Sequence, residues 1–429
     1  MAPPRKTLAI LIIIMAAAGC GGEMKATKEK AKSVARKVAD TVDEVATPTK
    51  ADTMTPAELE RQRFDQRWRE LESFRQQQAA EQQRQQEAAT AAAAAEAARF
   101  QFVTGKKETF KKLDANAINN APVNVPITGD VHGPSVLKAQ VFLDRNHYSV
   151  GALDGRWGRN SAISVWWWQR GHGLASSGDV DEATFRSLAS AAGNVPAVVS
   201  YTITDDDTKG PFVSIPDSPY EKARLDCLCY ESLKEKLAEK FHSSQDFLDV
   251  LNPDVKFSEL KGGDTIVVPN VRPALTNDTH DVAKIVISLA GNSLSGFDAN
   301  GHLNFHAPTT VGNGYDPSPN ETVKLVKIVD HPHFHYDPTL YHEVPDSMPD
   351  AHMSPGPNSP VGVVWLALSK QHYGIHGTPD PESIGYVSSH GCIRLTNWDA
   401  AELQHRVSEG IPVSFVDVSR KGLPEVAKK

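Results

Sequence analysis

Two short motifs decide how the last third of the chain folds: Ile375-His376-Gly377-Thr378 and, eleven positions later, Ser389-His390-Gly391-Cys392-Ile393-Arg394-Leu395. The imidazole of His376 stands 16 positions before the thiol of Cys392, at the end of an apolar stretch typical of a strand. A thiol attacks a carbonyl carbon as the thiolate, and a nearby imidazole can take its proton. Because a strand end and a turn can fold back on themselves, this spacing predicts that His376 acts as the base for Cys392.

Two neighbours of the cysteine fit the same chemistry. Gly391 lets the backbone approach closely, so that its N–H and the N–H of Cys392 can be presented to an oxyanion. Arg394 lies two positions beyond the cysteine and could neutralise a substrate carboxylate or brace the loop. We therefore predict that both residues belong to the site.

The residues around these motifs indicate a mostly β domain over residues 282–418. Four β-rich runs are separated by glycine, proline and asparagine, namely 285–289, 323–329, 361–368 and 413–416. One clear helix starts after Thr396, which with Asp399 resembles a capping pair, and it ends at Gly410. The predicted fold class is multidomain α+β, with this β domain last in the chain.

The two motifs together resemble the catalytic domain of the L,D-transpeptidase (YkuD-like) family. The resemblance covers residues 282–418 and includes the stretch Gly356-Pro357-Asn358-Ser359-Pro360-Val361-Gly362 and the lead-in from Tyr373 to His376. It implies that Cys392 is the nucleophile and His376 the general base and acid. It also implies that Ser389, His390 and Gly391 shape the loop, that His390 or its backbone orients His376, and that Arg394 occupies the family's arginine position.

The resemblance also implies a two-step reaction on peptidoglycan. Cys392 would attack the carbonyl of the L-centre of diaminopimelate in a tetrapeptide stem, release the terminal D-Ala, and pass the acyl group to an amine. Diaminopimelate of another stem would give a 3→3 cross-link, a D-amino acid would give exchange, a protein lysine would give tethering, and water would give L,D-carboxypeptidase trimming. No metal or organic cofactor is needed.

A second family resemblance covers residues 131–192. Gly151-Ala152-Leu153-Asp154-Gly155, followed by Gly158 and by helical spacing on both sides, resembles the small three-helix peptidoglycan-binding domain, with Ser161 at its usual threonine position. Three consecutive tryptophans, Trp166 to Trp168, cannot all face the core of one helix. Either one of them is exposed for sugar stacking, or the outer two pack around a core tryptophan.

Residues 199–272 resemble a LysM module, a kind of domain that binds N-acetylglucosamine polymers. A strand is expected near Val199 to Ile203, followed by helices that end at Asn252-Pro253. The turn and strand Gly263-Asp264-Thr265-Ile266-Val267-Val268-Pro269 complete the pattern, and a long insert separates the first strand from the helices.

The N-terminus predicts an envelope protein. Arg5 and Lys6 precede an apolar run of 11 residues, and small residues then lead to Cys20, which is typical of a lipoprotein signal peptide over residues 1–20 with lipidation at Cys20. Because Gly21 rather than aspartate follows, we expect anchoring in the outer membrane of a Gram-negative bacterium, facing the periplasm. Residues 21–54 are expected to be a flexible tether, 55–100 a helical spacer or a coiled-coil seam, 101–130 a linker, and 419–429 a tail.

Composition excludes some functions and leaves others open. A net charge of −8 over 429 residues argues against a nucleic-acid partner, and peptidoglycan stems and glycan strands are the expected partners. Cys227 and Cys229 are two positions apart, so a bridge between them would be strained and we expect two unbridged side chains. His331, His333 and His335 could share one strand face as a zinc site with His342 near, but Pro332 interrupts the strand, which favours a solvated or wall-binding loop.

A wall-binding lipoprotein with an inactive catalytic domain is the alternative from a different functional class. It would require the loss of His376 or Cys392, and both are present. The sequence therefore favours an active enzyme.

Overall fold

A computed structural model describes residues 55–111, 113–341 and 344–416. The chain divides into two compact units with a boundary after Ala91. The predicted signal peptide with Cys20, the tether, the tail and His342 lie outside the described residues. Within the described ranges, no helix combines the length and the apolar character needed to cross a membrane.

The predicted spacer is one helix, α1 (Pro56–Arg99). It starts with a reciprocal cap in which the Thr55 N–H donates to Glu58 Oε2 at 2.8 Å and the Glu58 N–H donates to Thr55 Oγ1 at 3.4 Å. This cap confirms the helix start predicted from the sequence. Phe74, one of the apolar residues of the helix, is exposed.

A helical module follows, and it contains three helices over residues 131–192 as predicted. Its elements are β1 (Phe102–Val103), α2 (Ala115–Asn120), β2 (Val123–Asn124), α3 (Pro134–Arg145), α4 (Arg159–Gly171) and α5 (Glu182–Ala191). Trp168 is buried while Trp166 and Trp167 are partly exposed, so the three tryptophans do not all face the core. The prediction of a linker at residues 101–130 was wrong, because Ile118 and Val123 are buried in the core of this module.

The next segment has the predicted order of a strand, helices and a second strand. It contains β3 (Val198–Thr202), α6 (Asp205–Thr208), α7 (Pro219–Lys222), α8 (Leu233–Lys240), α9 (Gln245–Leu251), a 3₁₀ turn (Phe257–Glu259) and β4 (Thr265–Pro269). β3 and β4 pair antiparallel and cover a small apolar core with α8 and α9.

The insert of this segment corrects one expectation from the sequence. Cys227 and Cys229 form a disulfide, with their Cα atoms 5.2 Å apart. An extended strand would separate residues i and i+2 by about 6.6 Å, but this stretch is irregular, and its backbone brings the two cysteines within the range that a bridge requires.

The last module is a curled sheet with one helix, which confirms the predicted α+β class. Its elements are β5 (Lys284–Ser288), β6 (Ser293–Phe297), β7 (Leu303–Pro308), β8 (Thr322–Asp330), β9 (Phe334–Tyr336), β10 (Ala351–Met353), β11 (Val364–Leu368), β12 (Gly374–His376), β13 (Ile393–Arg394), α10 (Asn397–Arg406) and β14 (Pro412–Val416), with 3₁₀ turns at Pro338–Leu340 and Pro381–Ser383. Eight strands form one sheet in the order β13-β12-β11-β8-β14-β5-β6-β7, and β9 pairs with β10 outside it. β12 with β13 and β14 with β5 are the parallel pairs of this sheet.

The three histidines before β10 do not share a strand face. β9 begins only at Phe334, after Pro332, so His331 and His333 precede the strand and only His335 lies on it. His335 stacks on His352 with ring centroids 4.5 Å apart and contacts Asp350 at 2.8 Å. Among the described residues, no three metal-ligating side chains are grouped to hold an ion.

The three modules after α1 pack against one another around a buried arginine. Arg272, in the connection after β4, contacts Asp144 of α3 and both Asp399 and Glu402 of α10. The Leu153 N–H also donates to the His242 carbonyl at 2.7 Å. Buried polar contacts of Arg272 thus join the last module, through α10, to the modules that precede it.

Candidate active site

Strand register places His376 and Arg394 on one face of the sheet. In the parallel pair β12–β13, Ile375 is opposite Ile393 and His376 is opposite Arg394. Because side chains alternate along a strand, Ile375 and Ile393 enter the core, where both are fully buried, and His376 and Arg394 take the other face. Cys392 directly precedes β13, and the charge of Arg394 acts on both its thiol and the imidazole of His376.

The first residue of β12 lies next to the thiol. Gly374 begins β12, and its backbone N–H can donate a hydrogen bond to the thiolate of Cys392. Gly374 has no side chain to intervene between the thiol and the end of β12, where His376 lies.

The cysteine is partly exposed and its thiol is protonated at rest. Its S–H donates to the carbonyl oxygen of His372 at 3.5 Å. Protein atoms around the sulfur remove the thiolate from water and raise the pKa of Cys392, and the positive charge of Arg394 offsets part of that rise. Cys392 is the free cysteine among the described residues.

His376 is a buried, neutral base. Its Nδ1 lies 2.7 Å from the carbonyl oxygen of Gly377, and since a carbonyl can only accept, Nδ1 carries the proton and Nε2 is left with its lone pair. Burial first, and then the charge of Arg394, lower the pKa of His376 to about 3. The Trp365 ring stacks on the imidazole with centroids 5.4 Å apart, which fixes the plane of the ring.

The loop before the cysteine is held by hydrogen bonds and by a glycine-only conformation. The Ser389 hydroxyl donates to the Cys392 carbonyl at 2.5 Å, and the Ser318 hydroxyl donates to the Gly391 carbonyl at 2.7 Å. Gly391 has φ +100°, and a Cβ there would lie 2.9 Å from Cε1 of Tyr373. The loop geometry therefore requires glycine at position 391.

One residue of the motif differs in role from the expectation, and a second has a contact that braces the loop. His390 or its backbone was expected to orient His376, but the Gly377 carbonyl takes Nδ1, and the His390 ring packs edge-on against Tyr341 at 4.9 Å. The backbone of Arg394 bridges to Thr310 in both directions, at 2.9 and 3.0 Å, which anchors β13.

Asn397 is a part of the site that the sequence reasoning missed. Its Oδ1 accepts from the Val363 N–H at 3.3 Å and occupies the space beside Gly362 and Gly377, where an added Cβ would lie within 2.1 Å of it. Its Nδ2 donates to the Pro357 carbonyl at 3.1 Å. Asn397 thus packs directly against the residue that orients His376, and the glycines of the two flanking motifs were the available signal.

With this geometry established, two family models match the chain. One, described as "L,D-transpeptidase catalytic domain" (YkuD), matches residues 283–414. The other, described as "Putative peptidoglycan binding domain", matches residues 132–188. The chain therefore pairs a transpeptidase-type domain with a module of the peptidoglycan-binding type.

Two relatives in sequence agree with the family models, and one solved structure is similar to part of the chain. "Putative L,D-transpeptidase YkuD" of Bacillus licheniformis is 31% identical over 181 residues, which is 42% of this chain and 92% of that protein. "Probable L,D-transpeptidase YbiS" of Escherichia coli K12 is 31% identical over 41% of this chain and 56% of that protein. The solved L,D-transpeptidase 3 of Mycobacterium tuberculosis aligns with 37% of this chain and 77% of that chain, at 17% identity and a TM-score of 0.27. The chain belongs to the YkuD family of L,D-transpeptidases.

Proposed function

We propose that this protein is a cysteine acyltransferase that cross-links peptidoglycan, with Cys392 as nucleophile and His376 as base. The observation that supports the proposal is that Arg394, opposite His376 in the register of β12 and β13 and two positions after Cys392, acts electrostatically on both the imidazole and the thiol. That arrangement stands in a domain whose family acts on peptidoglycan stem peptides.

The chemistry proposed for this pair starts from two neutral groups. His376 Nε2 takes the thiol proton as Sγ adds to the stem carbonyl, and the N–H groups of Gly391 and Cys392 donate to the developing oxyanion. His376 then gives that proton to the departing D-Ala nitrogen as the C–N bond breaks and a thioester remains. An acceptor amine attacks the thioester, loses a proton to His376, and releases the thiol.

We propose diaminopimelate of a neighbouring stem as the acceptor, which gives a 3→3 cross-link. L,D-carboxypeptidase trimming by water and tethering of a protein lysine are the alternatives that use the same thioester. The substrate end of the site is formed by Arg394, whose charge suits the carboxylate of the stem.

Product masses separate these outcomes. Purified protein is incubated with a disaccharide tetrapeptide, and the expected product is a dimer formed with loss of one D-Ala. Tripeptide alone would indicate trimming, and unchanged substrate would overturn the proposal. Cys392→Ala should abolish every product, whereas Ser177→Ala, on the distant peptidoglycan-binding module, should leave the yield unchanged.

We propose that the remaining modules hold the enzyme at the wall. Lipid on Cys20, followed by the α1 spacer, would keep the catalytic module in the periplasm near the outer membrane. The three-helix module and the LysM-like segment 199–272 would bind glycan strands. Mass analysis of membrane-extracted protein tests the lipid, since unlipidated protein or a Cys20→Ser variant that stays in the membrane would contradict it.

A further inference from the structure

The interface between the LysM-like segment and the catalytic module carries an inference of its own. Helix α8 of the segment faces the start of α10, where Asn397 lies. Glu239 of α8 accepts a hydrogen bond from Asn397 Nδ2 at 2.8 Å through Oε2, and one from the Tyr230 hydroxyl at 2.9 Å through Oε1. Both oxygens of this partly buried carboxyl therefore accept a hydrogen bond.

The contact continues from Asn397 to the base. Asn397 has one amide, and its plane is set by Nδ2 bonding to Glu239 and to the Pro357 carbonyl. The Oδ1 on the other side of that plane fills the space beside Gly377, whose carbonyl holds Nδ1 of His376 at 2.7 Å. If the Asn397 amide rotated, its oxygen would no longer fill the space beside Gly377, and either the NH₂ group or no atom of Asn397 would lie there.

A second contact ties the same helix to the same region. Glu235 Oε1 accepts from Asn358 Nδ2 at 2.7 Å, and the Asn358 N–H donates to the Leu228 carbonyl at 2.9 Å. The segment that carries Pro357 is therefore fixed from the insert as well as from α8. Glu239 and Glu235, one turn apart on α8, therefore contact Asn397 itself and the segment whose Pro357 carbonyl accepts from Asn397.

We propose that Glu239 is a positioning residue of the catalytic site, which acts through Asn397 and the Gly377 carbonyl to hold His376 in its working orientation. In this proposal, the LysM-like segment contributes Glu239 to the positioning of His376 in addition to packing against the catalytic module. This inference rests on the proposed function of His376 as base. A misplacement of about 1 Å at a catalytic group can lower turnover about 100-fold, so loss of an indirect brace should have a measurable effect.

Three substitutions at position 239 separate positioning from simple packing. Glutamine can still accept from Asn397 through its oxygen and donate to the Tyr230 hydroxyl through its nitrogen, so Glu239→Gln should keep kcat within about twofold. Glu239→Ala should lower kcat about tenfold with KM unchanged, because the substrate is bound elsewhere. Glu239→Asp keeps a carboxylate but withdraws it by one methylene, and should lie between the two.

The matched control is Lys234→Ala on the same helix, whose partner is the exposed Asp249, and it should leave kcat unchanged. A double-mutant cycle with Asn397→Ala should show that the Glu239→Ala effect on kcat disappears when Asn397 is already lost. Folded Glu239→Ala or Glu239→Asp protein with the wild-type kcat would overturn the inference, and so would additive effects in the cycle. If Glu239→Ala does not fold, the kcat of Glu239→Asp tests the inference in its place.

Acylation of Cys392 by a carbapenem, followed by intact mass, provides a second readout. This acylation reaction requires the Cys392 thiol and the proposed base His376 but no peptidoglycan substrate. If wild-type protein is acylated yet gives no product from the tetrapeptide, the proposed function fails while the Glu239 series can still be judged by acylation rate. Equal acylation rates in wild type, Glu239→Ala and Glu239→Asp would overturn the inference alone.

Discussion

Replacing Arg272 by alanine would test what holds the three modules together. The guanidinium is buried and contacts three carboxylates that are also buried, Asp144, Asp399 and Glu402. Removing it while keeping the carboxylates leaves negative charge in a low-dielectric interior, which is far more costly than losing an exposed pair.

The cost can be worked out from the partners that remain. Asp144 keeps its contact to His242 at 2.8 Å, and Glu402 keeps Arg406 at 2.9 Å. Asp399 keeps the Ser149 hydroxyl at 2.8 Å but loses its cation. Asp399 thus loses its ion pair, and breaking one buried pair in this way costs about 3–5 kcal/mol.

Urea unfolding at pH 7, followed by circular dichroism, measures this loss. With a slope of about 3 kcal/mol per molar urea, the midpoint of Arg272→Ala should fall by roughly 1 M or more. Lys256→Ala, which removes an exposed pair with Glu259, should change the free energy of unfolding by less than about 0.5 kcal/mol. Equal midpoints for Arg272→Ala and wild type would refute the reasoning.

The pH dependence of the same variant has a definite sign. Arg272 is the main attraction that holds the pKa of Asp144 and of Glu402 below the ordinary values, against the burial that raises them. Such groups contribute stability above their unfolded pKa, near 4, and that stability is lost as pH falls through the folded pKa. The difference between wild type and Arg272→Ala should therefore shrink as the pH is lowered from 7 toward 3, and a constant difference would contradict the assignment.

Three further outcomes are expected. Gly391→Ala should cost about 1–3 kcal/mol of strain and most of the turnover, because φ is +100° and the new Cβ would meet Tyr373; wild-type urea midpoint and kcat would exclude this. Burial raises the pKa of Glu239 to about 7, with its partners Asn397 and Tyr230 acting against the rise and Glu235 adding to it, so stability should fall by up to about 3 kcal/mol as pH rises from 4.5 to 7. Glu239→Gln should remove that slope in urea midpoints, and an unchanged slope would assign it to another group. Because burial raises the pKa of the Cys392 thiol above its ordinary value, alkylation by iodoacetamide should accelerate throughout pH 7 to 9, whereas a plateau near neutrality would mean a preformed thiolate.

Much of the fold could be predicted because it is written in local patterns. Strand runs with turn residues between them gave the mostly β module, and the Thr55 cap and alanine-rich composition gave the spacer helix. The predicted linker at 101–130 failed for the opposite reason. Short elements such as Val123–Asn124 acquire their burial from a partner distant in sequence, and no periodicity marks them.

The histidine and cysteine predictions show the same limit. Spacing predicted that His376 ends a strand and that Cys392 lies in the turn region nearby, but it did not reveal that Gly377 rather than His390 would orient the imidazole. The Cys227–Cys229 bridge was missed because it depends on how an irregular insert turns. The alternation of His331, His333 and His335 suggested one common strand face, but β9 begins only at Phe334, so only His335 lies on the strand.

By itself, the sequence determined which side chains can do chemistry here, because the presence of a thiol at position 392, an imidazole at position 376 and a glycine at position 391 does not depend on how the chain packs. Tertiary structure decided their state. The neutral imidazole and the protonated thiol depend on burial and on the charge of Arg394, and the contact of Glu239 with Asn397 joins residues 158 positions apart. Electrostatic energies vary with the surrounding dielectric and with distance, and only the folded chain sets both.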